Sequence, residues 1–305
     1  MELEGIGVLD LDFMGHAGAI ASGVIEGPGG LAIVDPGPTS TLEALRAGLG
    51  RRGASLGHVR AVLATHIHLD HFGAVGAIVR ENPMVHVYVH ERGTPHLVDP
   101  SRLVASARRL YGEEMDRLWG EVAPVPASNV RSLRGGERLF VAGREVLVEY
   151  TPGHASHHVS YFDVETGVAF TGDVGGMRVG RTKYAMPPTP PPDIDVELWE
   201  ASVERIRQWE PRALFLTHFG LVDSPEQHLA DLVAHLRWFA ALVRDSLQRD
   251  ETDADRLAWF KEAVALELRR QMPVEVAAGF ERAVPIDDSW YGLARYWRKR
   301  AETRR

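Results

Sequence analysis

The stretch Thr65-His66-Ile67-His68-Leu69-Asp70-His71 places four metal-binding side chains within six residues, directly after the apolar run 59–64. That run reads as a β-strand. In extended chain, His66 and His68 have period-two spacing and put both imidazoles on one side, while Asp70 and His71 fall where the chain turns into a small-residue helix at 73–79. Neutral imidazole suits zinc, iron or copper, and a carboxylate adds hard-oxygen character. The chain has no cysteine, so any metal must be held by nitrogen and oxygen. A histidine-rich surface turn is the bland alternative, and it is weakened because the stretch does not stand alone.

Three further candidates occupy the same topographic position, each just past the carboxyl end of a predicted strand. His154 closes Thr151-Pro152-Gly153-His154 after the strand 145–150, Asp173 closes Thr171-Gly172-Asp173 after 168–171, and His218 follows Thr217 after 212–217. Ligands of α/β folds gather at such strand ends. Four loops thereby deliver five histidines and two aspartates to one edge, enough for two metal ions with an aspartate between them.

Outward from this edge the chain alternates strands and helices. Strands are predicted at 8–13, 19–25, 31–34, 85–89 and 159–162, and helices at 101–119, at 196–209 and from Leu42 to a stop at Gly50 with a cap among Thr39, Ser40 and Thr41. Five prolines between Met186 and Asp193 predict a stiff extended loop. Ser224-Pro225-Glu226 resembles a helix start, and from there the sequence is helical in pattern to its end. The expected division is a catalytic domain, 1–222, and a helical extension, 223–305. With 45% hydrophobic residues and no apolar run near the roughly 18 residues of a membrane span, no membrane association is expected. A net charge of -8 disfavours nucleic acid as a partner. The acidic start Met1-Glu2-Leu3-Glu4 is unlike a secretory leader, so a cytoplasmic location is expected.

The pattern His66-x-His68-x-Asp70-His71 followed by His154, Asp173 and His218 resembles the metallo-beta-lactamase superfamily, over roughly residues 1–222. The resemblance implies an α/β fold, a four-layer αβ/βα sandwich with the helical extension appended. It implies that His66, His68 and His154 bind a first metal and Asp70, His71 and His218 a second, with Asp173 bridging. Two zinc ions are expected, with iron or manganese as alternatives. Asp35, before Pro36-Gly37, resembles the family's early acidic residue near the site, and it reads almost equally as a turn former. His158 matches a histidine that supports the ligands from behind. Lys183 and Tyr184, on the loop leaving Asp173, are the candidate substrate contacts, or plain exposed loop residues. The closest branch is that of glyoxalase II-like hydrolases and lactonases. β-Lactamases of the best-known zinc subclass carry cysteine at the place of Asp173.

Two metals lower the pKa of a shared water and polarise the carbonyl that it attacks. The expectation is therefore a binuclear hydrolase of a small ester, thioester or lactone, with a bridging hydroxide as nucleophile and Asp70 and Asp173 orienting it or moving its proton. The alternative is a mononuclear-iron oxidoreductase similar to the persulfide dioxygenases. The partner is a small molecule, and the C-terminal helices either line its pocket or form a homodimer surface.

Overall fold

Short β-branched runs separated by glycine and proline turns form strands, and the computed structural model, which describes residues 3–179, 182–283 and 286–303, assembles them into two six-stranded sheets. Met1 and Glu2, part of the acidic start, lie outside the described residues. The first sheet runs in chain order through β1 (Ile6–Asp10), β2 (Ala21–Gly27), β3 (Gly30–Val34), β4 (Val59–Leu63), β5 (His86–His90) and β6 (Val130–Leu133). β1 to β3 are antiparallel, and β3 to β6 parallel. The second sheet holds β7 (Arg138–Val141), β8 (Arg144–Tyr150), β9 (Val159–Asp163), β10 (Val168–Phe170), β11 (Ala213–Leu216) and β12 (Gly220–Val222).

Alternation along the strands separates the apolar side chains into three cores. Ala32, Val34, Leu63, Val148, Tyr161, Phe170 and Phe215 fill the space between the sheets. Gly23 lets them approach, since a Cβ there would lie 2.7 Å from the Phe170 ring. Ile33 and Val62 point the other way, toward α1 (Leu42–Arg51) and α3 (Val75–Glu81). Leu214 and Leu216 point to α7 (Val196–Arg207) and α8 (Pro225–Leu247). Helix, sheet, sheet, helix is the expected four-layer sandwich.

The remaining helices are α2 (Leu69–Phe72), α4 (Thr94–Val98), α5 (Ser101–Tyr111), α6 (Met115–Trp119), α9 (Asp253–Gln271), α10 (Val274–Ala283) and α11 (Ile286–Thr303). The single helix expected at 101–119 is broken at Gly112, whose φ of 54° a regular helix does not accommodate. Thr41 does not cap α1, because its hydroxyl donates to Pro38 O at 2.9 Å, and 39–41 forms a 3-10 turn. Pro225 begins α8, but Ser224 makes no capping hydrogen bond. One apolar core runs across the point near residue 222: Trp199, Val203 and Leu216 share it with Leu232, Leu236, Phe239 and Trp290.

Candidate metal centre

The loops that follow β4, β8, β10 and β11 converge on one edge. Three hydrogen bonds fix the two sheets against each other there: Val159 N–H to Thr65 O at 2.8 Å, Ala21 N–H to Thr217 O at 2.8 Å, and the Tyr161 hydroxyl to Ala64 O at 2.9 Å. Two glycines allow the loops to close. Gly153 has φ +138°, and a Cβ on it would lie 2.3 Å from Trp199 Cα; Gly172 has φ +48°, and a Cβ would lie 2.6 Å from Thr65 Oγ1.

All seven expected ligands meet. His66, His68, His154 and Asp173 form one group and Asp70, His71 and His218 another, with the ligand atoms of each group within 4.8 Å of one another. Asp173 spans both: its Oδ2 lies 3.3 Å from His154 Nε2, and its Oδ1 lies 3.2 Å from His71 Nε2 and 3.6 Å from His218 Nε2. Asp70 Oδ2 is 3.3 Å from His218 Nε2.

Hydrogen bonds behind the rings select which nitrogen faces the cluster. His71 donates from Nδ1 to Asp35 Oδ2 at 2.8 Å, His154 from Nδ1 to Pro188 O at 2.9 Å, and His218 from Nδ1 to Ala19 O at 2.9 Å. The Thr65 hydroxyl donates to Asp35 Oδ2 and so accepts from His66 Nδ1, 3.1 Å away. Each of these four rings therefore offers an Nε2 lone pair. His68 faces the cluster with Nδ1, 3.0 Å from His154 Nε2.

The donor set fits divalent metal. His66 Nε2, His71 Nε2 and Asp173 Oδ1 are buried with no partner in hydrogen-bonding geometry, an arrangement that costs free energy unless something binds them. The electrostatics point the same way. Burial opposes ionisation of Asp70 and Asp173, yet the neighbouring His71, with His218 and for Asp173 also His154, holds both carboxyls well below their ordinary range. Burial likewise disfavours charge on His71 and His218, but Asp173 and Asp70 raise both, joined at His71 by Asp35. A cluster that draws protons onto two buried imidazoles has the negative potential that suits a cation. The histidines of the first group are kept neutral: burial lowers His66, His154 and His68, the last to about 3.

The other expected residues divide. Asp35 is fully buried and accepts from Thr65 N, Thr65 Oγ1, Thr217 Oγ1 and His71 Nδ1, each at 2.8 Å. Its φ of 48° is also that of a turn residue. His158 packs its ring 5.1 Å from that of His66 and is anchored through Nδ1 to Thr151 Oγ1 at 2.9 Å. Lys183 is exposed, and Tyr184 is buried with its ring stacked on His235 at 4.2 Å, within the core shared by α7 and α8. Sequence reasoning missed Thr65 and Thr217, although a signal was present: each immediately precedes a ligand histidine, and both bind Asp35. It also missed Trp199, whose edge meets the His154 ring at 5.6 Å. Nothing in the apolar stripe of α7 marks that residue out.

Known proteins share sequence and fold with this chain. The chain is 27% identical over 178 residues to a metallo-beta-lactamase fold-containing protein of Sulfurisphaera tokodaii, covering 57% of this chain and 66% of that protein, just under two thirds of its length. It is 26% identical over 261 residues to a hydroxyacylglutathione hydrolase of a Synechococcus strain, covering 81% of this chain and 86% of that protein, which supports the glyoxalase II-like branch. A solved metallo-beta-lactamase family protein of Thermus thermophilus shares the fold with a TM-score of 0.69 at 23% identity, over 98% of this chain and 95% of that one. The family profile of the metallo-beta-lactamase superfamily matches residues 17–218, which hold all seven clustered ligands and more than half of the sequence, and the chain belongs to that superfamily.

Proposed function

We propose that the protein is a hydrolase of a small ester, thioester or lactone that works with two divalent metal ions, zinc being the expected pair. The observation that carries this reading is the position of Asp173, whose two oxygens face different ligand groups. Two ions held there would supply a water acidic enough to ionise near neutral pH and a Lewis acid for the carbonyl.

The residues of the chain do the rest. His66, His68 and His154 would hold one ion and Asp70, His71 and His218 the other. Asp70, held ionised by His71 and His218, can orient the attacking water or accept its proton. The Pro188 carbonyl fixes the His154 ring, so the proline loop forms a wall beside the site. Lys183, exposed on the loop leaving Asp173, would be the contact for a substrate oxygen, while Tyr184, buried and stacked on His235, would act by anchoring that loop. The relative from Synechococcus is named for hydrolysing a hydroxyacylglutathione, and the match spans most of both chains. No described helix is long and apolar enough to cross a membrane, and a cytoplasmic setting belongs to the same reading.

The test joins metal analysis of protein purified without added metal to a substrate panel. Two zinc ions per chain and turnover of a thioester or lactone are expected. One iron per chain with O2 consumption on glutathione persulfide would replace hydrolysis by dioxygenase chemistry, and preferred turnover of a phosphodiester or a β-lactam would overturn the substrate class.

A further inference from the structure

Two consecutive carbonyls of the turn that carries Asp173 are held by different helices. Trp199 of α7 donates its Nε1–H to Val174 O at 2.9 Å. His228, in the first turns of α8 and 1% exposed, donates from Nε2 to Gly175 O at 2.8 Å. Its other nitrogen, Nδ1, accepts from Arg178 Nε at 3.1 Å. A guanidinium has no acceptor, so this contact fixes the neutral tautomer with the proton on Nε2. Arg178 in turn sends its backbone N–H to the carbonyl of His218 at 2.5 Å. One imidazole of α8 thus joins the turn of Asp173 to the loop of His218. His228 itself lies beyond residue 218, where the match to the family profile ends.

We infer that His228 is a positioning residue of the metal centre, through which the C-terminal helices set the place of Asp173 relative to His218. This rests on the reading that those two residues share the second ion. Trp199 reaches the same turn beside His154, on the side of the first group. Loss of His228 therefore acts chiefly on the second ion, to which both Asp173 and His218 would contribute, and less on the first, which would share only Asp173.

Three substitutions separate the two hydrogen bonds. H228F keeps a buried ring and loses both. H228Q can place an amide N–H where Nε2 stood, retaining the bond to Gly175, and H228N can place an oxygen where Nδ1 stood, retaining only the bond from Arg178. Two readouts follow. In metal-free protein, native-state hydrogen exchange at the amides of Gly176 and Arg178, which donate to Asp173 O and His218 O, reports the brace directly. In protein titrated with cobalt(II), the affinity and visible spectrum of each ion report the site.

For H228F the expected result is exchange at both amides faster by about tenfold or more, with the second cobalt bound roughly 10–100-fold more weakly, its spectrum changed and the first affected less. H228Q should recover most of the loss at Gly176, and H228N should not. Unchanged exchange and unchanged second-ion affinity in H228F, or equal behaviour of H228Q and H228N, would overturn the inference. If the wild-type protein binds a single cobalt at saturation, the binuclear reading fails, and the exchange arm still decides whether His228 holds the turn.

Discussion

Asp35 shows how much a single carboxylate can organise. Four donors at 2.8 Å converge on its two oxygens, from Thr65, Thr217 and His71, and these come from loops after β4 and β11 and from α2. Each carboxylate oxygen accepts from at least one donor, Oδ1 from Thr65 N–H and Oδ2 from Thr65 Oγ1, Thr217 Oγ1 and His71 Nδ1, so the amide N–H of asparagine would face another donor in either orientation. Asp35→Asn is expected to cost at least about 2 kcal/mol of stability, the scale of a lost hydrogen bond to a charged group, and to loosen the second ion by releasing His71. Thermal unfolding and metal titration check it; an unchanged second site would remove Asp35 from any role in holding His71. Among the ligands themselves, Asp173→Ala should remove both ions or leave at most one, whereas His66→Ala and His71→Ala should each cost mainly one, as measured by metal content after dialysis. Two tightly bound ions in Asp173→Ala would show that the bridge lies elsewhere. The seven clustered residues are legible because each stands just past a strand in a short motif. Asp35 was half legible, since a turn before Pro36-Gly37 explains it as well as a site does until its partners, some of them far along the chain, are known.

At the scale of elements, what the sequence displays is periodicity, and what it conceals is edge and end. The buried strands β3, β10 and β11, and β4 apart from exposed Arg60, carry continuous apolar residues and stand out, but Val130-Arg131-Ser132-Leu133 and Arg138-Leu139-Phe140-Val141 carry two exposed residues each at the edges of their sheets, and both escaped. β12 escaped because three residues are too few to show a period. The packing of α8 was likewise hidden: its stripe of Leu229, Leu232, Leu236, Phe239 and Val243 promises a buried face and does not say against what. The structure places it on the outer core of the second sheet with Val196, Trp199 and Ile206. A chain ending at Val222 would uncover that core, so it is expected to aggregate or unfold and to lose metal with it, which solubility and metal content measure. A soluble, metal-loaded truncation would mean that α8 to α11 only decorate the fold. A finer probe is Gly153→Ala, which sets a Cβ 2.3 Å from the Trp199 backbone at a φ that side chains rarely adopt. Displacement of α7 from the His154 loop should lower the affinity of the first ion ahead of the second.

The whole molecule is two halves closed by one site: His66, His68, Asp70 and His71 belong to the first sheet, and His154, Asp173 and His218 to the second. Metal bound across that boundary stabilises the fold by mass action, about 2.7 kcal/mol for an ion at a hundred times its dissociation constant. Without metal, the histidines set a pH dependence of opposite sign in two windows. Burial lowers His68 to about 3 and His157 and His228 to about 4, so below pH about 6.5 the unfolded chain takes up protons that the folded one refuses, and stability falls as the pH drops toward 4. His71 and His218 are raised by Asp173 and Asp70, so their contribution is fully present below about 6.5 and is lost as the pH rises through their folded values. The metal-free protein should therefore be most stable near pH 6.5 and weaken on either side. The metal-loaded protein should lose the alkaline limb, because ligation requires unprotonated imidazole and is favoured by rising pH. Denaturant unfolding from pH 4 to 8.5, with and without chelator, compares the two curves. If stability without metal keeps rising above pH 7, the carboxylates do not hold protons on His71 and His218, and the electrostatic case for a cation site fails with them.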